Sequence, residues 1–485
     1  MNARERNRKW LVMAVLVGSV FVLRPLVASA ADRPSDETIT QNVREALHQD
    51  PRVLASEIQV STANGIVELS GTAWNLADKR YAELEAKKVN GVRGVIDEIS
   101  VEPAYRPDTD ILQDVRRRLM DSSTIQSPGI GVTVLNGEVT LQGTVASWTE
   151  MRQAELLASE VTGVKAVHSH LAIATTRNRP DNRISKDVEA TIQRDVYLAG
   201  LPIQVSVDKG IVTLKGTVGN AYEKERAWED AWVDGVTSVK DQMTVEWWED
   251  EGVRPSYPGP TAQQLTKSLH DELYQDLRIE DPYEIKVDVS DGEVTLRGTV
   301  PTYYQKRIAE QDVQNVVGVW WVNNLLNVHT NLRTDKAIAY DLQSDLGTDY
   351  ALAGQDIESH VRNGVVTLSG HVDSSFDRDH AASVAADVLG VREVVNDITI
   401  NPFPKYSNTA LVRRIEDRLT GNWETYRVAD RITVKVNDGK VTLTGQVDSW
   451  AEYREAAEVT LLTDGVWSLD NQLTVAAAKY PWPQD

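Results

Sequence analysis

The sequence contains no cysteine among its 485 residues. Disulfide bonds, thiol catalysis and a lipid-modified cysteine anchor are therefore excluded, and small domains in this chain must be held together by packing alone. Basic residues are also scarce, since 51 Lys and Arg stand against 72 Asp and Glu, for a formal net charge of −21. This charge argues against a general nucleic-acid-binding protein, because such proteins neutralise phosphates with Lys and Arg.

Long hydrophobic runs are lacking except near the N-terminus. There, four basic residues between positions 4 and 9 precede an apolar run at 10–23, and Ala28-Ser29-Ala30 offers a small-residue cleavage site. The run has 14 residues, fewer than the roughly 20 needed to span a bilayer. We therefore predict a cleaved signal peptide over residues 1–30, export to the periplasm and no transmembrane span afterwards; the alternative is an uncleaved anchor helix.

One short pattern, glycine followed by alternating apolar residues and a second glycine, occurs six times in the chain. The second glycines lie at 71, 143, 216, 298, 370 and 445, so successive copies are 72, 73, 82, 72 and 75 residues apart. A period of this length repeats a whole small domain, whereas solenoid families repeat a shorter unit.

Each copy has the same predicted order of elements. A helix with apolar residues at i, i+4 and i+8, such as Ile111, Val115 and Leu119, is followed by two strands joined by an Asn-Gly, Asp-Gly or Lys-Gly turn. A second helix carries a recurring alanine, ends at Gly-Val, and leads to a third strand. We predict an α+β protein of six tandem α-β-β-α-β units, each a three-stranded mixed sheet with two helices on one face.

Two local roles are predicted from recurring residues. In five repeats an Asp or Asn three residues before the first apolar position is expected to cap the first helix, and Thr261 takes this role in repeat 4. The second glycine of the pattern is expected to let the second helix approach the strand closely, opposite the recurring alanine. The five presumed capping residues are Asp36, Asp108, Asp181, Asp335 and Asn408.

The predicted domain boundaries follow from these elements. A proline-rich linker, which divides the repeats into two sets of three, is expected to be a stiff spacer. The predicted segments are repeat 1 at 36–102, repeat 2 at 108–174, repeat 3 at 181–246, the linker at 247–260, repeat 4 at 261–329, repeat 5 at 334–400 and repeat 6 at 406–476.

This pattern resembles the BON domain (bacterial osmotic-shock and nodulation domain), in six copies over nearly all of the mature chain. The resemblance rests on the Asp-x-x-Ile-x-x-x-Val-x-x-x-Leu helix, the Gly-x-Val-x-Leu-x-Gly strand, the helix alanine and the Gly-Val pair. The departures are Ala262 at the presumed cap of repeat 4, and Glu225 and Asp379 where the other repeats have arginine. The resemblance implies a periplasmic or envelope protein, associated with stress tolerance and with attachment to phospholipid membranes.

No catalytic arrangement stands out from the repeated framework, so we predict that the protein is not an enzyme and has no cofactor. His168 and His170 share one strand face, but no third metal ligand accompanies them. Aromatic residues at the start of the second helix are expected to pack there; they are Trp74, Trp148, Tyr303, Phe376 and Trp450.

The residues by which the repeats differ are the candidate contact sites. The doublets Trp247-Trp248 and Trp320-Trp321 either pack repeat 3 against repeat 4 or contact a lipid headgroup layer or a partner. Arg116, Arg117 and Arg118 form a basic cluster that either contacts anionic headgroups or lies on a solvated helix face.

Two functions remain open from the sequence. The first is a non-enzymatic envelope protein that binds a phospholipid surface or envelope proteins in stress tolerance. The alternative is a periplasmic structural scaffold or holdase-like chaperone without lipid binding.

Overall fold

The computed structural model describes residues 34–125, 129–174, 179–246, 260–290, 292–319, 321–330, 333–401 and 406–475. Within these ranges there are twelve α-helices and nineteen β-strands in six sheets. The predicted signal peptide and almost all of the predicted linker lie outside the described residues.

Each repeat has two helices, the first before its hairpin and the second between its second and third strands. The first helices are α1 (Asp36–Gln49), α3 (Asp108–Asp121), α5 (Asp181–Arg194), α7 (Ala262–Gln275), α9 (Asp335–Thr348) and α11 (Asn408–Gly421). The second helices are α2 (Leu76–Lys87), α4 (Trp148–Ser159), α6 (Ala221–Asp230), α8 (Tyr303–Asn315), α10 (Ser375–Asp387) and α12 (Trp450–Leu461).

Each repeat also has its own sheet. The strands of repeats 1 to 3 are β1 (Ile58–Ala63), β2 (Ile66–Ala73), β3 (Gly94–Val101), β4 (Gly131–Leu135), β5 (Glu138–Val145), β6 (Ala166–Ile173), β7 (Ile203–Asp208), β8 (Ile211–Val218) and β9 (Ser238–Val245). Those of repeats 4 to 6 are β10 (Ile285–Ser290), β11 (Glu293–Val300), β12 (Trp321–Val328), β13 (Asp356–Arg362), β14 (Val365–Val372), β15 (Glu393–Asn396), β16 (Thr399–Ile400), β17 (Ile432–Asn437), β18 (Lys440–Val447) and β19 (Ser468–Val475).

The predicted unit is confirmed. The second strand is central in every sheet, antiparallel to the first and parallel to the third, so that Val139 of β5 pairs with Val134 of β4 and with Val167 of β6. The apolar stripe of the first helix is buried against the inner sheet face, for example at Ile111 and Val115. Repeat 5 differs only in its third strand, which is split into β15 and β16.

The Asp or Asn at the start of the first helix has a different role from the one predicted. The N-cap is the preceding residue, and in repeat 2 the Asp108 carboxylate instead accepts the backbone N–H groups of Asn136 at 2.8 Å and Gly137 at 2.9 Å. The carboxylate thus ties the hairpin turn to the helix, because the turn leaves both N–H groups free. The capping prediction was wrong for these five residues. It is confirmed for Thr261, which forms a capping box with Gln264.

The reason predicted for the second glycine was also wrong. The recurring alanines are fully buried, but in repeat 4 the neighbour that excludes a side chain at the glycine is the backbone immediately before the first strand. At Gly298 a Cβ atom would lie 1.9 Å from the Glu284 carbonyl oxygen, and φ is +127°. Both the close carbonyl and the positive φ require glycine at this position.

The six repeats pack into two rings of three. Within each ring, the second helix of one repeat contacts the second helix of the next, in the orders 1→2→3→1 and 4→5→6→4. In the first ring Arg80 bonds Ser159 and Lys87 pairs with Glu225. Trp148 contacts Trp228 of α6 edge-on and stacks on Trp232, which lies just after that helix. In the second ring Arg307 bonds Ser383, Ser375 bonds the Leu461 carbonyl, and Arg454 bonds the Gln314 carbonyl.

The two rings face each other, and repeat 1 pairs with 6, repeat 2 with 5 and repeat 3 with 4. In five of the six repeats, the last residue of the first helix accepts a backbone hydrogen bond from the loop that ends the partner's second helix. These bonds run from Asn90 to Gly421 (2.9 Å), Thr162 to Thr348 (2.9 Å), Val317 to Arg194 (2.8 Å), Leu389 to Asp121 (3.0 Å) and Asp464 to Gln49 (2.7 Å). Each bond satisfies a carbonyl that has no partner within its own helix.

The glycine geometry makes a testable prediction. Gly298→Ala should lower the free energy of unfolding of repeat 4 by roughly 2–4 kcal/mol, because the added methyl group clashes with the Glu284 carbonyl and the residue is held at positive φ. Differential scanning calorimetry of the full chain measures the loss as a lower transition temperature.

The matched control is Gly347→Ala. Gly347 lies in α9 with open space around its Cα, so that alanine should be neutral or stabilise by up to about 1 kcal/mol. Equal transition temperatures for the two variants would contradict the proposed cause.

Candidate functional site

The three arginines of the predicted basic cluster lie in three different environments. Arg116 is exposed and bonds the Val132 carbonyl at 3.1 Å. Arg117 is half-buried, pairs with Asp114 at 3.1 Å and bonds Ser344 of repeat 5. The side chain of Arg118 is only 4% exposed. The structure therefore does not bring the three guanidinium groups together on one open surface.

Arg118 joins repeat 2 to repeat 5. Its Nη2 lies 3.2 Å from Asp349 Oδ2 and 3.3 Å from Glu160, and its Nη1 donates to the Asp345 carbonyl at 3.2 Å. Arg418 holds the matching position in repeat 6, where it pairs with Glu85 of repeat 1 at 2.8 Å. Buried arginines at this helix position thus connect the two rings.

Burial in this contact changes the titration of the acids around Arg118. Burial raises the pKa of Asp345 to about 7, although Arg118 acts in the opposite direction. Burial also raises the pKa of Asp387 to about 6, against the hydrogen bonds from Ser122 and Ser123. Asp349 is buried as well, but His380 at 2.9 Å and Arg118 hold the pKa of its carboxyl below the ordinary value.

A sequence signal for Arg118 exists. Arg118 stands three residues after Val115 and next to Leu119, both of which belong to the apolar stripe of α3. Residues three apart lie on the same helix face, so the spacing places this arginine beside the core. Its acidic partners come from repeat 5, which no pattern within repeat 2 identifies.

The aromatic residues at the start of the second helix mostly pack between repeats. Tyr303 packs against the core of repeat 5, and Phe376 contacts Tyr81 of repeat 1 with ring centroids 5.8 Å apart. Trp450 packs with Tyr197 of repeat 3. Trp148 stacks on repeat 3, as described above. The packing prediction is confirmed for these four and wrong for Trp74, which is 55% exposed.

Of the two tryptophan doublets, only Trp321 can be placed. Trp247, Trp248 and Trp320 lie outside the described residues. Trp321 begins β12 and is 61% exposed. Its ring lies on the outer face of the repeat 4 sheet, away from the helices.

The outer face of β10–β12, which we call the repeat 4 outer face, combines apolar and charged side chains. Leu325 is 44% exposed and, four residues after Trp321, lies on the same face of β12. Leu325 pairs with Arg297, and Arg297 pairs with Lys286 on the other side. Arg297 also lies 3.4 Å from Asp288. An exposed indole and a leucine therefore adjoin two cations.

No other repeat has apolar residues at both of these positions. The residues that match Trp321 in register are Gly94, Ala166, Ser238, Glu393 and Ser468. Those that match Leu325, in the four other repeats with an unbroken third strand, are Glu98, His170, Gln242 and Gln472. The repeat 4 outer face is thus a local departure from an otherwise polar pattern.

The two histidines that share a face of β6 lie on the surface. His168 and His170 are both exposed on β6, and His168 lies 3.2 Å from Glu138. Among the described residues, no group of three His, Asp or Glu side chains could hold a metal ion. In the same ranges, none of the helices combines the length and apolar character required to cross a bilayer.

The contact around Arg118 predicts a pH effect. Because the folded-state pKa of Asp345 lies above its unfolded value of 3.8, the folded state binds the extra proton between pH 4 and 7, and its stability falls as the pH rises through that window. Asp345→Asn removes this loss and should stabilise the protein by up to about 4 kcal/mol at pH 8 and little at pH 4. Calorimetry at both pH values measures the difference.

Asp379→Asn is the control, because the Asp379 side chain is 62% exposed on the surface of the same repeat. It should change stability by less than about 0.5 kcal/mol at either pH. A gain for Asp345→Asn that is the same at pH 4 and pH 8 would contradict the raised pKa.

Comparison with known proteins agrees with this architecture. The BON domain family model matches residues 35–103, 107–175, 180–246, 261–330, 334–402 and 407–477. Osmotically-inducible protein Y of Escherichia coli (strain K12) is 32% identical over 143 residues, which are 28% of this chain and 71% of that protein. Outer membrane lipoprotein DolP of Haemophilus influenzae is 30% identical over 138 residues, 27% of this chain and 71% of that protein.

Similarity to solved structures is weaker. The C-terminal domain of CdsD, a structural protein of the type III secretion system of Chlamydia trachomatis, aligns over 47% of this chain and 100% of its own. The identity is 15% and the TM-score 0.12, which supports no structural argument. The six family matches span most of the sequence and coincide with the six observed units, and on this evidence the chain belongs to the BON domain family.

Proposed function

We propose that this chain is an exported, non-enzymatic protein of the bacterial envelope that contacts phospholipid membrane surfaces through the repeat 4 outer face and acts in stress tolerance. Residues 1–30 serve as its signal peptide and place it in the periplasm. The names of two relatives, an osmotically-inducible protein and an outer-membrane lipoprotein, support this setting.

The exposed Trp321 is the observation that carries the proposal. Indole rings are favoured at the headgroup layer, where their apolar body and polar N–H are both accommodated. Leu325 extends the apolar contact along the same strand. Trp320, the preceding residue in the sequence, and the Trp247-Trp248 doublet supply further indole rings for the same role.

The charges of this face suit local contact with a membrane. Lys286 and Arg297 balance Asp288 and Glu293 on the outer positions of β10 and β11. The face is therefore locally neutral on a chain of net charge −21, which repels anionic lipid over most of its surface. Binding should be confined to this face and weaken as salt screens the two cations.

Arg116 offers a second contact on repeat 2, because it is exposed and its own hydrogen bond is to a backbone carbonyl. Arg117 and Arg118 contribute less, since both are held in contacts with repeat 5. The proposal therefore rests mainly on repeat 4.

Liposome flotation of the protein without residues 1–30 tests the proposal. Trp321→Ala combined with Leu325→Ser should weaken binding at low salt by at least tenfold, since full burial of one large apolar side chain contributes roughly 1.5–3 kcal/mol and about 1.4 kcal/mol corresponds to a factor of ten. Trp74→Ala is the matched control, because Trp74 is 55% exposed in repeat 1 and lies away from this face; it should leave binding unchanged.

Absence of binding to every lipid mixture, at low salt and with divalent cations, would exclude the membrane role. Suppression of client aggregation that persists without lipid would then favour the holdase-like alternative. Equal weakening by the Trp74 and Trp321 variants would show nonspecific aromatic adsorption and reject the repeat 4 outer face as the site.

A further inference from the structure

A cavity of about 240 Å³ lies where repeats 2, 3 and 4 meet. Its walls come from α4, α5, α6, α7 and α8, so the cavity exists only in the assembled rings. Glu229 at its edge is exposed, and the cavity is therefore open to solutes. At about 30 Å³ for each water molecule, its volume corresponds to roughly eight waters, which is smaller than a site for a drug-sized ligand.

Most charged side chains in this cavity are paired, but one buried carboxylate oxygen is not. Arg226 bonds Asp195 at 2.6 Å, Arg194 bonds Glu272 at 3.0 Å, and Arg278 pairs with Asp276 and Asp312. Asp230 also lines the cavity, and its Oδ2 is buried without a hydrogen-bond partner. Burial first, and then the neighbouring Asp195, raise the pKa of Asp230 well above its ordinary value.

Two buried donors in the same cavity also lack partners. They are Nη1 of Arg194, a residue that is 6% exposed, and the indole Nε1 of Trp232. Buried polar atoms are nearly always hydrogen-bonded, so each exception requires an explanation. A fourth atom without a partner, Asp312 Oδ2, is explained without a ligand. Burial and Asp276 raise the pKa of Asp312, and its proton is shared with Asp276.

One wall of the cavity is aromatic. Trp148 and Trp232 both line it and stack with ring centroids 5.5 Å apart and planes 6° from parallel. Trp228 contacts both rings edge-on without lining the cavity. An indole face attracts a cation within about 6 Å, most strongly where water is excluded.

A second cavity, between repeats 1 and 6, differs in the pairing of its polar side chains. It has about 280 Å³, and its charged residues Glu85, Arg418 and Lys88 pair with acids or with one another. None of its described lining residues has a buried polar side-chain atom without a partner. Of these two cavities, as far as their described lining residues show, only the one between repeats 2, 3 and 4 has buried polar side-chain atoms without a hydrogen-bond partner.

We propose that this cavity binds a small zwitterion with one ammonium and one carboxylate group. The ammonium group meets Asp230 Oδ2 beside the indole wall, and the carboxylate accepts from Arg194 Nη1 and Trp232 Nε1. A simple cation leaves both donors unmet, whereas a simple anion adds negative charge to an acid-rich site. The site is independent of the repeat 4 outer face.

Isothermal titration calorimetry of the full chain with three probes tests the charge requirement. L-Alanine carries both groups, ethylamine lacks the carboxylate and propionate lacks the ammonium. L-Alanine should bind at least tenfold more tightly than either other probe. In the ¹⁵N spectrum, the Trp232 indole N–H resonance, identified by its loss in Trp232→Phe, should shift on addition of L-alanine.

Asp230→Asn and Trp232→Phe should each weaken L-alanine binding at least tenfold, whereas Trp228→Phe, which alters a ring outside the cavity lining, should not. If Asp230→Asn does not fold, the proposal is tested by Trp232→Phe alone, because this variant keeps an aromatic ring. Equal affinity for the three probes, or L-alanine binding that both variants leave intact, would overturn the proposal. No heat and no indole shift up to about 50 mM would assign the cavity to water alone and also overturn it.

Discussion

The assembly depends on how the ends of the first helices are satisfied. An α-helix leaves its last carbonyl groups without partners inside the helix, and burying them unpaired is costly. In this chain the last carbonyl of α3 accepts from Leu389 at 3.0 Å, and that of α9 accepts from Thr162 at 2.9 Å. The exchange is reciprocal between repeats 2 and 5. In five of the six repeats, the last carbonyl of the first helix is therefore paired only when the partner repeat in the other ring is present.

Each repeat also needs another repeat to cover the open side of its helices. A two-layer unit shields one side of its helices with the sheet and leaves the other side open. Units of this size are near the lower limit for independent stability, and no cysteine is present to reinforce them. The rings cover this open side by placing the second helices against each other, as the contact between Trp148 of α4 and Trp228 of α6 shows. The sheet faces that do not contact helices are then turned outward.

Buried charged side chains hold the repeats together, and some of them are available to bind a ligand. Arg118 and Arg418 connect repeats across the rings, so these two arginines act as internal connectors. Around Glu85 every buried charged group has a partner, and the contact is structural. Around Asp230, one acid and two hydrogen-bond donors have atoms without a partner. The repeat 4 outer face departs from the pattern in a different way, since apolar residues replace polar ones.

The sequence by itself determined the repeated unit, because its order of elements depends on local chemistry. Turn residues with positive φ, the period of apolar residues and the Gly-Val helix ends recur in each copy and are readable without any partner. Sequence patterns assigned Asp108 to a cap and Gly298 to a helix contact, and both assignments were wrong. Asp108 meets the hairpin turn at Asn136, and Gly298 meets Glu284 across a hairpin. Only the tertiary structure decided which repeats pair, that Arg118 is internal, and that Trp321 is exposed. Those outcomes depend on contacts between residues a hundred or more positions apart, such as Arg118 and Asp349, and one repeat read alone does not contain them.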